Sequence, residues 1–471
     1  MKYYLIVFIV LCLSVTTGQA GKGKETAQTG RYDLTQVELL DVETAQQIAL
    51  QGNPNSGAAQ ARLEQARAAL QQAVAADKPR VDISASTGLA RYSDNTYDSV
   101  SLLDASADQN YTVGSLGLQA SWLLFDGYAR KFQQEQARYG VRSSAASREN
   151  TQRILASAVA DTFFNAQLAL AAIEIAAANK EFYEQQLQDA ESRLEVGSGS
   201  LSDVLNMKVQ LNSAKNSLLT SERDYEVARY ALAALLGLAD SVLPETVKLA
   251  ELDKDCDISA DNTWTARTDG DTFIAEALQA RPDLTALDIR IKGAESGIEQ
   301  AKAGDWPTVQ LVGKIDGTTQ DGPVPAGEDF GTSLGVSASW NLYSGGAVDA
   351  AVLEARQAKR EAKYAYAELR NSIAAEVQQD IARLAAAREQ VRLQRETVEL
   401  VEENRKLAKS EYEAGSASLV RLNEAQRDLT ATYGRLVQAL VSYHQARHQL
   451  LAAVARNLEP FSLPDKSGAV E

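Results

Sequence analysis

The hexapeptide Trp122-Leu123-Leu124-Phe125-Asp126-Gly127 returns, with changes, as Trp340-Asn341-Leu342-Tyr343-Ser344-Gly345, at an offset of 218 residues. The same offset separates two later tripeptides, Val196-Gly197-Ser198 and Ala414-Gly415-Ser416. Two earlier proline dipeptides also recur, at an offset of 228: Asn53-Pro54 as Arg281-Pro282, and Lys78-Pro79 as Trp306-Pro307. The chain is therefore internally duplicated. The first copy has ten more residues in the loop between 79 and 122.

Before each tryptophan motif, apolar residues alternate with polar or small ones, which is the period of a strand with one apolar face. In the first copy the apolar positions are Val81, Ile83, Ala85, Leu116, Leu118, Ala120, Trp122 and Leu124. In the second copy they are Val309, Leu311, Gly313, Ile315, Phe330, Thr332, Leu334, Val336, Ala338 and Trp340. Each copy is predicted to form one β-hairpin, at about 80–125 and about 307–343, with polar loops at about 92–110 and 316–328.

Long helices are predicted on the other side of each tryptophan motif. Proline, which breaks helices, is absent for 164 residues between Pro79 and Pro244 and for 134 residues between Pro325 and Pro460. Outside the hairpins the apolar period is close to 3.5 residues, as in a coiled coil. The expected long helices are 128–196 and 346–414, followed by helices at 202–237 and 419–456. At about 1.5 Å per residue, each long helix would measure roughly 100 Å.

The composition argues against several classes of protein. The chain has 471 residues and a net charge of −16, which makes nucleic acid an unfavourable partner. The sequence has no hydrolase or nucleotide-binding motif, and His444 and His448 are its only histidines, so we expect no enzyme activity, no cofactor and no metal. The two histidines stand at i and i+4 on a predicted helix and could bind a metal ion. Arg447 lies beside them, however, and a surface helix also explains them.

Residues 1–20 are predicted to be a signal peptide, with Lys2, an apolar run of about thirteen residues and Gly18-Gln19-Ala20 at the cleavage site. The apolar run is short of the roughly twenty residues that a membrane-spanning helix needs. No later run of 18 apolar residues occurs, so any membrane-crossing part must be a β-barrel. The predicted domains are repeat 1 at 21–239, an acidic linker or equatorial collar beside the helices at 240–271, repeat 2 at 272–458 and a C-terminal tail at 459–471.

The predicted strands are about ten residues long with one apolar face, which fits a tilted transmembrane strand. A soluble sheet packed on helices is the alternative, but the opposite face carries polar residues such as Asp82 and Ser84. Trp122, Trp306 and Trp340 fall at the strand ends nearest the helices, as in the aromatic girdle of a membrane interface. Four strands cannot close a barrel. Eight from a dimer would leave a bore filled by side chains, whereas twelve from a trimer would leave a passage.

Together these blocks resemble the TolC-like outer-membrane efflux proteins. The resemblance covers almost the whole mature chain and rests on order, duplication and spacing, because no single motif is specific. Besides the repeated blocks, it includes the stretches Leu40-Asp41-Val42-Glu43-Thr44-Ala45, Leu201-Ser202-Asp203-Val204-Leu205 and Leu419-Val420-Arg421-Leu422. It implies a homotrimer in the outer membrane of a Gram-negative bacterium. In that trimer, a twelve-stranded transmembrane β-barrel continues into a long, coiled-coil-like α-helical barrel through the periplasm.

The resemblance further implies a passive exit duct of a tripartite efflux or type I secretion system. Such ducts are recruited by a periplasmic adaptor, or membrane fusion protein, and by an inner-membrane pump of the RND, ABC or MFS type. The cargo is left open, although acidic residues expected in the lumen suggest a mild preference for cations. A periplasmic coiled-coil scaffold or a surface adhesin is the rival function. A scaffold would need neither strands with one polar and one apolar face nor tryptophans aligned at the same end of the strands. A second alternative is a membrane anchor whose barrel is closed and does not conduct.

The resemblance also assigns roles to the far ends of the long helices. Adaptor docking is expected at the turn residues Val196, Gly197, Ser198, Ala414, Gly415 and Ser416, and gating at Asp203, Tyr412, Arg421 and Glu424. Arg421 stands where some members of the family have an acidic residue. Ala417 stands where a basic residue forms one of the links that hold the tip closed in the family. We hypothesise that Arg421 pairs instead with Asp203 or Glu424. The alternative is a set of exposed charges on a solvated tip, worth under about 1 kcal/mol.

Overall fold

The computed structural model describes residues 38–103, 108–253, 270–320 and 322–461. The predicted signal peptide, part of the predicted acidic linker and most of the C-terminal tail lie outside these residues. The helices are α1 Val42–Gly52, α2 Pro54–Ala75, α3 Asp94–Ser101, α4 Ala129–Glu195, α5 Leu201–Leu235, α6 Gly270–Ala280, α7 Pro282–Lys302, α8 Ala347–Glu413 and α9 Leu419–Ala453. The strands are β1 Leu39–Leu40, β2 Arg80–Arg91, β3 Asn110–Phe125, β4 Lys248–Leu249, β5 Thr308–Thr319 and β6 Phe330–Ser339.

Two helices of 67 residues, α4 and α8, set the length of the molecule. Both begin directly after a residue in the left-handed region, Tyr128 with a φ of 71° and Gly346 with a φ of 85°, so the chain turns sharply from strand into helix. Gly127 has a φ of 65° as well, and a Cβ there would lie 2.5 Å from the Cβ of Trp306. The glycine that ends the first hexapeptide is thus required both by its backbone angle and by the close approach of a tryptophan.

The shorter helices pack along the two long ones in the same way in both repeats. α4 contacts α2 and α5, the helices before its β-hairpin and after its turn, and α8 contacts the corresponding helices α7 and α9. α7 and α9 also contact α4, and so join the two repeats side by side. The resulting order of helices is α2–α4–α7–α8 next to the sheet and α5–α4–α9–α8 towards the turns.

The main core lies near the middle of the long helices, where α1, α4 and α9 meet beside the parallel pair β1–β4. Val159 and Phe163 of α4 and Leu440 of α9 are at most 1% exposed there. One 18-residue window of α4, with a mean hydropathy of 1.4, is apolar enough to cross a membrane by length and composition, yet half of it is buried. Packing against α1 and α9 accounts for the apolar content of this window.

β2, β3, β5 and β6 form one antiparallel sheet in that order. Their register collects apolar side chains on one face, with Leu118 of β3 between Ile83 of β2 and Ile315 of β5. Ile83 is 77% exposed and Leu334 of β6 is 79% exposed, so this face is uncovered in the single chain. On the other face, one polar row crosses all four strands: Asp82, Gln119, Lys314 and Ser333. Within the described residues, β2 and β6 each have a strand partner on one side only.

The structure adds a helix that the sequence analysis missed. The loop expected at about 92–110 contains α3, whose N-cap Ser93 accepts a hydrogen bond from the Thr96 amide at 3.4 Å. At the base of the loop, the rings of Tyr92 and Tyr111 stack with their centroids 4.3 Å apart. The serine followed by an aspartate at 93–94 is a helix-start signal, which the overall polarity of the loop concealed.

Candidate functional site

Two short turns, α4 to α5 and α8 to α9, lie at the end of the long helices away from the sheet. A glycine with a φ of 75° closes each turn, Gly197 in the first and Gly415 in the second. The amide of the following serine donates to the carbonyl of Arg193 in the first turn and of Glu411 in the second, at 2.9 Å in each case. A Cβ on either glycine would meet no atom within 4 Å, so the backbone angle alone selects glycine. The two turns are a matched pair of helix ends.

Apolar side chains are exposed beside these turns. Val196 is 78% exposed, Leu201 60%, Leu205 56% and Val420 55%. Covering one such side chain fully would contribute about 1.5–3 kcal/mol of hydrophobic stabilisation. The predicted docking residues therefore belong to an end surface with marked apolar character.

Tyr412 lies in the last turn of α8, and its ring contacts the end of α4. Its ring packs under the guanidinium of Arg193, 4.7 Å from the ring centroid, and beside the apolar cluster around Met207. Burial raises the pKa of the Tyr412 hydroxyl, the charge of Arg193 lowers it, and the charges of Asp203 and Asp189 raise it further. The structure thus brings together Tyr412 and Asp203 of the predicted gate and adds Arg193, which the sequence analysis missed. A basic residue in the last turn of a helix is the one sequence signal that could have pointed to it.

Arg421 has a different partner from the one expected. Its Nε lies 3.1 Å from Oε2 of Glu411, which precedes the second turn. Within the described residues, no ion pair joins Arg421 to Asp203 or Glu424, and Glu424 is exposed on α9. Because Arg421 lies in the first turn of α9, its side chain reaches back across the turn to the end of α8. The pair therefore joins the two helices of one helical hairpin.

The three predicted interface tryptophans lie at the end of the sheet nearest the helices. Nε1 of Trp122 donates to the carbonyl of Asp77 at 2.9 Å, and Nε1 of Trp340, just beyond β6, donates to the carbonyl of Asp305 at 3.0 Å. These equivalent bonds fix the base of each β-hairpin to the end of the helix before it. Trp122, Trp306 and Trp340 are 42–61% exposed in the single chain.

The two histidines are less exposed than a surface helix would leave them. The His444 ring stacks on Phe164 with centroids 5.2 Å apart, and His448 contacts the same ring at 5.2 Å. Burial, followed by the charge of Arg447, lowers the pKa of both, that of His448 to about 4. Among the described residues there is no group of three or more potential metal ligands. The histidines therefore pack as neutral side chains beside the main core.

Because of the buried His448, we expect the free energy of unfolding to decrease in mild acid. Because the pKa of folded His448 lies below the ordinary 6.5, the unfolded chain binds the proton more readily. Above pH 6.5 the neutral His448 does not reduce the free energy of unfolding. As the pH drops from 6.5 towards 4, that free energy falls by up to about 3 kcal/mol, because the unfolded chain gains the proton first. Denaturant unfolding at neutral pH and at about pH 4.5 measures it, and His448→Gln should reduce the difference. An unchanged pH dependence in the variant would contradict this assignment.

Comparison with known proteins identifies the family. The sequence model of the family described as outer membrane efflux protein matches residues 45–238 and 273–456, which span both repeats. The chain belongs to the outer membrane efflux protein family. It is 23% identical over 350 residues to the outer membrane efflux protein BepC of Brucella suis, covering 73% of each protein. It is 23% identical over 342 residues to the cation efflux system protein CusC of Escherichia coli, covering 71% of this chain and 70% of CusC.

A solved structure shows the same fold. The outer membrane protein VceC of Vibrio cholerae superposes with a TM-score of 0.69 at 19% identity, covering 88% of this chain and 95% of VceC. As a member of the outer membrane efflux protein family, this chain is an outer membrane protein of Gram-negative bacteria, and its relatives are efflux channels, not enzymes. The resemblance drawn from the sequence is thereby confirmed.

Proposed function

We propose that the chain forms the exit duct of a tripartite efflux or type I secretion system. The duct is a passive homotrimeric channel through the outer membrane and the periplasm, which an adaptor and an inner-membrane pump open at its periplasmic tip. The observation that carries this proposal is that both the sheet and the layer of helices have open edges. Within the described residues, the first and last strand of the sheet, and the first and last helix of the layer, have a neighbour on one side only.

The open edges of the sheet are β2 and β6. Each leaves one row of backbone amides and carbonyls without a strand partner in the described chain, over 12 residues in β2 and 10 in β6. Exposed strand edges of this length pair readily with other chains. In a bilayer, backbone amides and carbonyls without hydrogen-bond partners would destabilise the protein strongly, so such an edge must be paired. Three copies joined β2 to β6 would give a closed barrel of twelve strands, wide enough for a passage.

The open edges of the helices carry apolar stripes. On α8, Leu393, Leu400 and Leu407 stand at seven-residue intervals and are 45%, 68% and 53% exposed. On α5 the exposed large apolar residues are Leu201, Leu205, Val209, Leu219, Val227 and Tyr230. A seven-residue interval is the spacing of a coiled-coil seam. Because α5 and α8 end the helix order on opposite sides, α8 of one copy would meet α5 of the next in a closed ring.

The polar face of the sheet would line the passage. Its charged residues are Arg80, Asp82, Lys314 and Asp316, two of each sign, and Arg80 pairs with Asp82 at 2.9 Å. The remaining positions on this face are mostly serine and glycine, which leave room for bulky cargo. The strand barrel would therefore select weakly by charge. A preference for cations would have to arise in the helical part.

The tip would be both the gate and the docking surface. We assign gating to Asp203, Tyr412, Arg421 and Glu424, and docking to the two matched turns with their exposed apolar side chains. The relative CusC is by its name a protein of a cation efflux system, which supports the expectation of partner proteins. Since the sequence has no nucleotide-binding motif, the energy for transport would come from such a partner.

Exchanging the charges of Arg421 and Glu411 tests the contact at the second turn. Arg421→Glu alone is expected to raise the resting conductance in planar bilayers by up to about five-fold, because a partly exposed pair contributes at most about 1 kcal/mol. Adding Glu411→Arg should restore the resting value. The matched control combines Arg421→Glu with Asp203→Arg, and rescue by this control alone would contradict the observed pairing.

Conductance and mass together test the duct. The purified protein is measured in planar bilayers, and its oligomeric mass is determined in the same detergent. We expect a trimer with small resting currents, which rise when Asp203, Arg421 or Glu424 is neutralised. A stable species that never conducts, as wild type or as any of these variants, would favour the rival reading of a non-conducting periplasmic coiled-coil scaffold or surface adhesin.

A further inference from the structure

A set of polar contacts joins the helical hairpin α4–α5 to the helical hairpin α8–α9 above the tip. Oδ1 of Asn179 on α4 accepts from Nε2 of Gln426 at 3.2 Å and lies 3.1 Å from the hydroxyl of Thr430, both on α9. Oε1 of Gln426 accepts from Nε of Arg405 on α8 at 3.2 Å. The Arg405 guanidinium lies 4.9 Å from the ring centroid of Phe182 on α4. These five residues, here named the polar bridge, hold α4 to both helices of the other hairpin.

Two buried polar atoms next to the polar bridge have no hydrogen-bond partner among the residues that the structure describes. The hydroxyl of Tyr183 and Oδ1 of Asn423 make no hydrogen bond within the described chain, and the two residues are 2% and 5% exposed. Tyr183 follows Phe182 of the polar bridge and packs in the same apolar cluster as Leu422 of α9. Asn423 follows Leu422 and lies one helical turn before Gln426. Both side chains are therefore buried close to the contact between α4 and α9.

The two sets of residues act on this contact in opposite directions. A buried polar group without a partner destabilises the arrangement that buries it, because it has lost its hydrogen bonds to water. If α4 and α9 moved apart, water would reach Tyr183 and Asn423, and the polar bridge would break. The polar bridge thus stabilises the closed contact, whereas Tyr183 and Asn423 favour its opening.

We infer that the α4–α9 contact is a balanced element of the gate, in which Tyr183 and Asn423 keep the closed state weak enough for a docked partner to open it. This inference rests on the proposed duct. It concerns residues above the turns, distinct from Asp203, Tyr412, Arg421 and Glu424. The resting state would then be set by the difference between two opposing contributions and not by one strong link at the tip.

Substitutions in the two sets should have opposite effects on resting open probability in planar bilayers. Gln426→Leu breaks the polar bridge and is expected to raise the open probability by about ten-fold. Tyr183→Phe removes only the unpartnered hydroxyl and should lower it by a similar factor; added to Gln426→Leu, it should return the open probability towards the wild-type value. Asn423→Leu, which keeps the branching at Cγ, should act like Tyr183→Phe. The matched control is Tyr433→Phe, whose hydroxyl bonds Glu402 within one helical hairpin, and it should not lower the open probability.

The outcomes separate this inference from the duct itself. A conducting wild type in which Tyr183→Phe leaves the open probability unchanged or raises it would overturn the inference alone. No conductance in the wild type and in Gln426→Leu alike would overturn the duct, and the inference with it. Thermal unfolding checks the premise independently. Tyr183→Phe should raise the melting temperature, and a lower melting temperature would show that the hydroxyl has a stabilising partner.

Discussion

Replacing Arg281 with methionine is expected to lower the free energy of unfolding by about 3 kcal/mol. Arg281 precedes α7 and is 4% exposed. Its Nη1 donates to Oε2 of Glu376 on α8 at 2.6 Å, and its Nε and Nη2 bond the two carboxylate oxygens of Asp283 at 3.1 and 2.7 Å. Burial by itself raises the pKa of Asp283, but the hydrogen bonds and charge of Arg281 hold it below the ordinary value. Without the guanidinium, the largely buried Asp283 would keep, among the described residues, the Leu284 amide at 2.9 Å and the more distant charge of Arg153 at 3.8 Å.

Arg392→Met is the matched control for this prediction. Arg392 joins Glu389 and Glu396 on α8 at 2.5 and 2.6 Å, but its side chain is 55% exposed. Water and salt screen such surface pairs, so the loss of stability is expected to be close to the error of the measurement. Both variants are unfolded with denaturant in the same detergent at neutral pH. An equal decrease in the free energy of unfolding in both variants would mean that burial does not increase the contribution of the Arg281 ion pairs.

The position of Arg281 also shows what a sequence repeat predicts. It corresponds to Asn53 in the first repeat, and each residue precedes a proline that starts a helix, as the matched dipeptides indicate. Asn53 caps its own helix, because its side chain accepts from the Asn55 amide at 2.8 Å, and it donates to the Leu235 carbonyl at 2.7 Å. Arg281 instead reaches a carboxylate on α8. The dipeptide predicts where the helix starts, whereas the partner depends on which helix lies alongside.

The same limit applies to the candidate site. Proline spacing and the period near 3.5 residues predict the long helices, and alternation predicts which strand residues share a face, because both depend on near neighbours in the sequence. The partner of Arg421 and the burial of His444 depend on how α8 and α9 rotate about their axes when they pack. Because the helix seams are rich in alanine, whose side chains are small, the sequence pattern does not predict that rotation. The sequence therefore predicts the location of the site better than its contacts.

Replacing Leu400 with aspartate is expected to abolish the proposed trimer. Leu400 is 68% exposed in the single chain and stands between Leu393 and Leu407 in the stripe that we assign to the seam with α5 of the next copy. In that seam the carboxylate would be buried among apolar side chains, and the symmetry repeats the cost at all three interfaces. Most of the purified protein should then have the mass of a monomer in detergent, and conductance in planar bilayers should fall by at least about 100-fold.

Lys406→Gln is the control, since it makes the net charge more negative by one unit, as Leu400→Asp does, at a position on α8 outside the stripe. The Lys406 side chain is 75% exposed and pairs only loosely with Glu402 at 4.0 Å, so the trimer should survive its loss. A Leu400→Asp protein that stays trimeric and conducts would contradict the assignment of the stripe. The effect should extend to the membrane end, because α8 continues from the edge strand β6 through a short turn. Separating α8 from the neighbouring α5 therefore also removes the support that holds β6 against β2 of the next copy, and four strands alone cannot close the barrel.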